Sequence, residues 1–178
     1  MHRHAKRRER RERAHRRERE LAIEVIQQHP AVTKTLDPKD HQAIQAAFGI
    51  DFYPEGFFFP DTYSFTRGTT DLEILQQAWN LMQEVLAEAW PLRDPGLPYT
   101  SPRDALVLAS IIEKETALAS EYGQIAGVFI RRLQQNIRLQ TDPTVIYGLG
   151  SAFDGNLTRS QLQEDNPWNT YTRFGLPP

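Results

Sequence analysis

The sequence predicts an α+β fold dominated by helices, with a few short strands. Three observations lead there. Apolar residues recur at helical spacing in several separate segments, each opened by a residue able to cap a helix start. A stretch dense in aromatic residues, proline and glycine, residues 53–66, interrupts that pattern and leaves room for a strand. The first 20 residues carry charge with almost nothing apolar to bury, so they stand apart from the globular part.

Composition sets the outer limits. A chain of 178 residues suits one domain, or one domain with an appendage. Hydrophobic residues make up 39% of it, which predicts a water-soluble chain with a modest core. No apolar run approaches the roughly 20 residues that span a bilayer, and no apolar segment follows the N-terminal charges as a signal peptide requires. The lack of cysteine excludes disulfides and thiolate metal sites. A net charge of −2 conceals an asymmetry, because residues 1–20 hold ten Lys/Arg and four Glu, +6, while the remainder carries −8. The chain therefore divides into an arm, 1–20, and a globular domain, 21–178.

Met1–Glu20 is a low-complexity Arg/Glu/His tract that can form a charged helix through Glu–Arg pairs three or four residues apart. It reads either as an electrostatic arm for nucleic acid or as a solvated helical extension or leader. No aromatic side chains interleave the charges for base stacking, which favours the second, and no nucleic-acid partner is expected. Leu21–His29 is amphipathic and extends that helix to Pro30. Asp37-Pro38 opens a short helix to about Phe48, and Gly49 ends it. Histidines 2, 4, 15, 29 and 41 form no ligand cluster, so neither a metal nor another cofactor is expected.

Tyr53–Thr66 follows a bent, largely non-helical path set by two prolines and a glycine, with a short strand predicted at Thr62–Thr66. Its rings beside Glu55 and Asp61 suit a sugar-binding wall, and suit equally well a loop whose phenylalanines pack a core. Thr69-Thr70-Asp71 caps a long helix over about Leu72–Trp90, with Leu72, Leu75, Trp79, Met82, Leu86 and Trp90 along one face. Pro91–Thr100 is a linker.

Leu106–Thr116 is the stretch with the most chemical content. Ser101-Pro102-Arg103-Asp104 before it has the pattern of a capped helix start, and the helix should run from about Pro102 to about Ala117. Glu113 would then lie one turn from Ala109 and one from Ala117. Burial there would strip water from the carboxyl and favour its protonated form, as a general acid near neutral pH requires. The alternative is an ordinary solvated helix end carrying Glu113, Lys114 and Glu115. Ser120 caps a further helix over about Glu121–Asn136, burying Ile125, Val128, Phe129 and Leu133. Beyond it, Arg138, Gln140 and Asp142 alternate, so in an extended segment they share one face that could line a polar groove. Asp142-Pro143 resembles a helix entry, Thr158–Leu162 another, and residues 169–178 are expected to be irregular.

Together these segments resemble the YceG-like family. The matching residues are Glu55–Tyr63, Ala109–Thr116, Val128–Leu133, Leu139–Gly148, Asn169-Thr170-Tyr171 and Gly175–Pro178, in matching order and spacing from about Leu21 to Pro178. The resemblance implies a lytic transglycosylase that cleaves the β-1,4 bond between N-acetylmuramic acid and N-acetylglucosamine within peptidoglycan strands. Such an enzyme leaves a 1,6-anhydromuramoyl end without using water or a cofactor. It implies Glu113 as the catalytic acid, with Glu115 as the fallback. Glu55, Gln140, Asp142, Asn169 and Tyr171 are implied as groove residues that position substrate or hold Glu113, and Asp61 as groove-lining or as structural support for the aromatic loop.

Partners implied are peptidoglycan strands and cell-wall synthesis proteins, at the periplasmic face of the bacterial inner membrane. Family members usually carry a membrane helix and a LysM-like region before the catalytic domain and continue past Gly-Leu-Pro-Pro. The resemblance therefore implies a catalytic domain incomplete at its C-terminus, with no membrane segment of its own. Two rival expectations remain: a non-catalytic glycan-binding remnant, and a nucleic-acid-binding protein acting through the arm.

Overall fold

The computed structural model describes residues 22–52 and 54–178, so the expectations for the arm, for Leu21 and for Tyr53 lie outside the described residues. The chain forms two compact units, which part between Arg93 and Asp94.

In the first unit, residues 22–27 are helical (α1). Helix α2 spans His41–Phe48, later than the sequence suggested. Asp37 is used in a turn, its carboxylate accepting the Lys39 N–H at 2.9 Å, and Asp40 takes the capping role by accepting the Ala43 N–H. Gly49 closes the helix with φ 66°, a left-handed conformation that costs glycine little. Helix α3 spans Asp71–Ala89 behind a capping box between Thr70 and Glu73, and a 3₁₀ turn, Trp90–Leu92, follows it. Its inward residues are Asp71, Ile74, Leu75, Ala78 and Met82, so Ile74 and Ala78 take places that periodicity gave to Leu72 and Leu86. Ile23, Ile44 and Leu75 form the core, with Ile26, Leu36, Phe48 and Phe58 against it.

A buried carboxylate ties this unit together. Asp71 is fully buried and accepts hydrogen bonds from the side chains of Gln27 and Thr35 and from the backbone N–H groups of Thr35, Leu36 and Leu72. Burial alone would push its pKa up. The hydrogen bonds to its ionised form outweigh that and hold it below the usual carboxylate value.

The predicted strands do not form. Among the described residues the β contacts reduce to one parallel bridge between Thr33 and Thr70. Residues 62–66 are irregular, and just before them the Phe59 N–H donates to Ala78 O of α3 at 3.0 Å, tying the loop to a helix. The α+β expectation is therefore corrected to a helical fold, since a lone extended segment cannot satisfy its backbone as a sheet does.

In the second unit, α4 spans Pro102–Glu115, α5 Tyr122–Gln134, α6 Asp142–Leu149 and α7 Arg159–Gln163. Helix α4 opens with the expected Ser101–Asp104 capping box. Ser120 does not cap α5; it sits inside a 3₁₀ turn, Ala119–Glu121, that leads into it. Leu108, Ile111, Phe129 and Leu139 make the core, with Ile112, Ile125, Leu133 and Leu176 packed around it. Val128, predicted to be buried, is 42% exposed. Among the described residues no helix is long and apolar enough to cross a membrane.

Candidate functional site

The C-terminal end of α4 does not bury Glu113. Leu108 and Ile111 face the core, and helical phase carries that face toward Glu115, one turn beyond Ile111, although the Glu115 side chain is exposed at the helix end. Glu113 falls on the flank of Ala109, which is exposed, and Glu113 is exposed with it. The expectation of a poorly hydrated Glu113 is therefore corrected, because small neighbours do not shield a carboxyl when they are themselves at the surface. Thr116 adopts extended backbone and ends the helix, and its hydroxyl donates to the Glu121 carboxylate at 2.6 Å.

Four charged or phenolic groups gather near this helix end. Tyr171 donates its hydroxyl to Asp142 Oδ1 at 2.6 Å. Partial burial, that hydrogen bond and the nearby Asp142 and Glu115 carboxylates push the Tyr171 pKa up to about 12, against the opposing charge of Arg132. At neutral pH the phenol is therefore a donor, held between two carboxylates and one guanidinium.

Residues 138–142 reach this cluster along an irregular path. Gln140 has φ 52°, in the left-handed region, which breaks the strict alternation expected of an extended segment. Arg138, Gln140 and Asp142 are nonetheless all exposed. The turn is held from both sides. The Gln140 N–H donates to Thr170 O at 3.1 Å and the Thr141 N–H to Thr170 Oγ1 at 3.1 Å. Arg132 Nη1 donates to Arg138 O at 3.1 Å and to Leu139 O at 2.9 Å, with Gln140 Oε1 at 3.4 Å. Below the turn, the Thr144 and Thr170 hydroxyls meet at 2.8 Å, while the buried Thr141 hydroxyl lacks a hydrogen-bond partner.

Arg132 is the residue that sequence reasoning missed. It lies in the Val128–Leu133 segment used for the resemblance. The usable signal was its position in the last turn of a helix, just before a polar segment whose carbonyls a long side chain could reach.

Asn169, expected either to position substrate or to support the site, lies inside the unit. It is fully buried, its amide donates to Leu162 O at 3.1 Å and Glu164 O at 2.8 Å, and its Oδ1 accepts the Tyr171 N–H at 2.9 Å. The side chain closes the end of α7 and fixes the backbone of Tyr171 from behind.

Glu55 and Asp61 belong to the first unit. Glu55 is half-buried in a turn closed by a Phe57 N–H to Pro54 O bond of 3.0 Å. Asp61 is exposed and accepts the Thr62 N–H at 2.7 Å, the local role of a turn aspartate. The phenylalanines between them pack inward. Phe57 lies 5.6 Å and Phe58 6.4 Å from the Trp79 ring of α3, and Phe48 joins them at 5.2 Å. Of the two readings of this stretch, the core-packing loop describes these rings. No trio of acidic or histidine side chains among the described residues is arranged to hold a metal ion.

Comparisons with known proteins place these features in context. Residues 4–178 match the YceG-like family. The chain is 36% identical over 124 residues to the endolytic murein transglycosylase of Bacillus subtilis (strain 168), covering 70% of this chain and 34% of that protein. It is 27% identical over 167 residues to the endolytic murein transglycosylase of Streptococcus pneumoniae serotype 2 (strain D39), covering 87% of this chain and 27% of that protein. The crystal structure of a yceG-like protein from Listeria monocytogenes superposes with a TM-score of 0.59 at 30% identity, over 79% of this chain and 49% of that one. The chain thus spans about a third of the length of these transglycosylases.

Proposed function

This chain belongs to the YceG-like family, and from that premise we propose that it acts on murein as an endolytic lytic transglycosylase. The observation that carries the proposal is the 36% identity to a protein named for that activity. The carboxylate-bearing end of α4 supports it, because Glu115 there acts on a phenol bonded to Asp142.

In the proposed reaction Glu113, protonated, donates its proton to the glycosidic oxygen as the bond between N-acetylmuramic acid and N-acetylglucosamine breaks. Positive charge develops at the anomeric carbon and is sheltered by the N-acetyl group of the substrate. Glu113, now a carboxylate, takes the proton of the 6-hydroxyl, whose oxygen closes the 1,6-anhydro ring. Proton and bond counts balance without water, and one carboxyl serves as acid and then base. A hydrolase would need a second carboxylate at a set distance, as base or nucleophile.

Glu113 is exposed in the free protein, so in the proposed complex the glycan would lie directly over its carboxyl. Gln140 and Asp142 would position the sugar, Tyr171 would fix the Asp142 carboxylate, and Arg132 would hold the turn that presents them. Glu115 is the alternative acid, favoured by its closeness to that cluster.

Incubation with purified peptidoglycan and mass spectrometry of the products tests this. Anhydromuramoyl ends should appear, and Glu113→Gln should lower their formation by at least about 100-fold, the scale of a lost general acid. Activity that survives Glu113→Gln but not Glu115→Gln would move the acid to Glu115. Retention on murein with no product from the unaltered chain would instead support the glycan-binding remnant, which the exposure of Glu113 also fits.

A further inference from the structure

We propose that Arg138 and Phe174, with the depression beside them, form a subsite for the carboxylate-bearing peptide stem of murein. This rests on the functional reading above, since it takes a murein strand as the ligand.

An open depression of about 360 Å³ lies in the second unit, its walls including Pro167, Thr170, Arg173, Phe174 and Leu176. Phe174 is 55% exposed, and the Arg138 guanidinium carbon stands 4.8 Å from its ring centroid. Two cations thus touch these walls, and they are not equivalent. Arg173 is engaged by Asp165 through two hydrogen bonds of 2.9 Å, so its charge is already balanced. Arg138 has no carboxylate partner among the described residues, and its described side-chain contact is the Phe174 ring.

A guanidinium stacked on a ring is oriented by it and keeps an N–H edge for a carboxylate, to which it donates in a fork. The platform is held in place at both ends. Arg132 binds the carbonyl of Arg138, and the Arg173–Asp165 pair anchors the residue before Phe174.

Thr170 connects the depression to the candidate active site. It lines the depression, and its carbonyl and hydroxyl receive the Gln140 and Thr141 N–H groups. A glycan held along Gln140 and Asp142 therefore has an apolar recess at its side, with a cation that no carboxylate among the described residues pairs. Murein differs from a bare aminosugar polymer by short peptides that combine small apolar side chains with free carboxylates, and that combination fits this recess.

The test compares binding of this chain to murein strands bearing stems and to the same strands with every stem carboxylate converted to a neutral amide. Strands with free stem carboxylates should bind about tenfold more tightly, the worth of one charge-assisted contact. Arg138→Gln should bring the two affinities together, Arg138→Lys should restore part of the difference, and Arg159→Gln, at an exposed arginine outside these walls, should leave it. Equal binding of both strands by the unaltered chain, or undiminished discrimination in Arg138→Gln, would overturn the subsite. A folded chain that binds neither strand would overturn the functional reading instead. In that event, titration with the free stem peptide followed by NMR decides the subsite. Shifts at the Phe174 ring that Arg138→Gln abolishes would sustain it, and their absence would refute it.

Discussion

At the scale of single residues, hydrogen bonding decides which acids and phenols are unusual. Asp165 accepts from Arg173 twice and from Thr172, and these contacts hold its pKa down at about 2, well below the ordinary carboxylate value. Carbon-13 titration of Asp165 should show that depression, and Arg173→Gln should move the midpoint up toward about 4. Tyr171 is displaced in the other direction, to about 12. Asp142→Asn removes one of the charges that raise it and leaves only a neutral amide oxygen as acceptor, so the phenolate absorbance should then appear at lower pH. An unmoved midpoint would mean that Asp142 is not the partner of the phenol. Glu113 and Glu115 show how far a motif reaches at this scale. Their order along the chain was plain, yet both prove exposed, and it is Glu115 whose charge acts on the Tyr171 phenol.

At the scale of elements, capping residues wrote the helix starts and packing wrote the rest. The Thr70–Glu73, Ser101–Asp104 and Thr158–Gln161 boxes form as a local pattern allows, because each needs only residues within one turn. The aromatic loop could not be resolved locally, since its rings meet Trp79 from another element. Trp79→Ala should cost about 3–5 kcal/mol of unfolding free energy by removing the ring that Phe48, Phe57 and Phe58 share, which chemical denaturation would measure. Helix α6 meets a second kind of constraint. A Cβ at Gly148 would come 2.8 Å from Asn166 Oδ1 and 3.3 Å from Trp168 Cβ, and that oxygen is held by the Trp168 N–H. Gly148→Ala should therefore destabilise the second unit by about 1–3 kcal/mol, and an unchanged denaturation midpoint would contradict this packing.

At the scale of the molecule, these groups set the range of pH over which the fold is strongest. Asp71 and Asp165 both have folded pKa values below their unfolded ones, so the stability they contribute is present above about pH 4 and is lost as pH falls below that. Tyr171 has a folded pKa above its unfolded one, so its contribution is present below about pH 10 and is lost as pH rises toward 12. Thermal unfolding between pH 2 and 11 should show a plateau with both flanks falling, and Asp165→Asn should flatten part of the acid flank. The sequence alone determined most of the helices, the Ser101–Asp104 capping box and the family likeness, all of which rest on neighbours in the chain. The tertiary structure alone decided that no sheet forms among the described residues, that Glu113 lies open and that Asn169 is sealed inside. It also placed Arg132 beneath the Gln140 turn, because burial and long-range hydrogen bonds are set by partners far along the chain that no local pattern specifies.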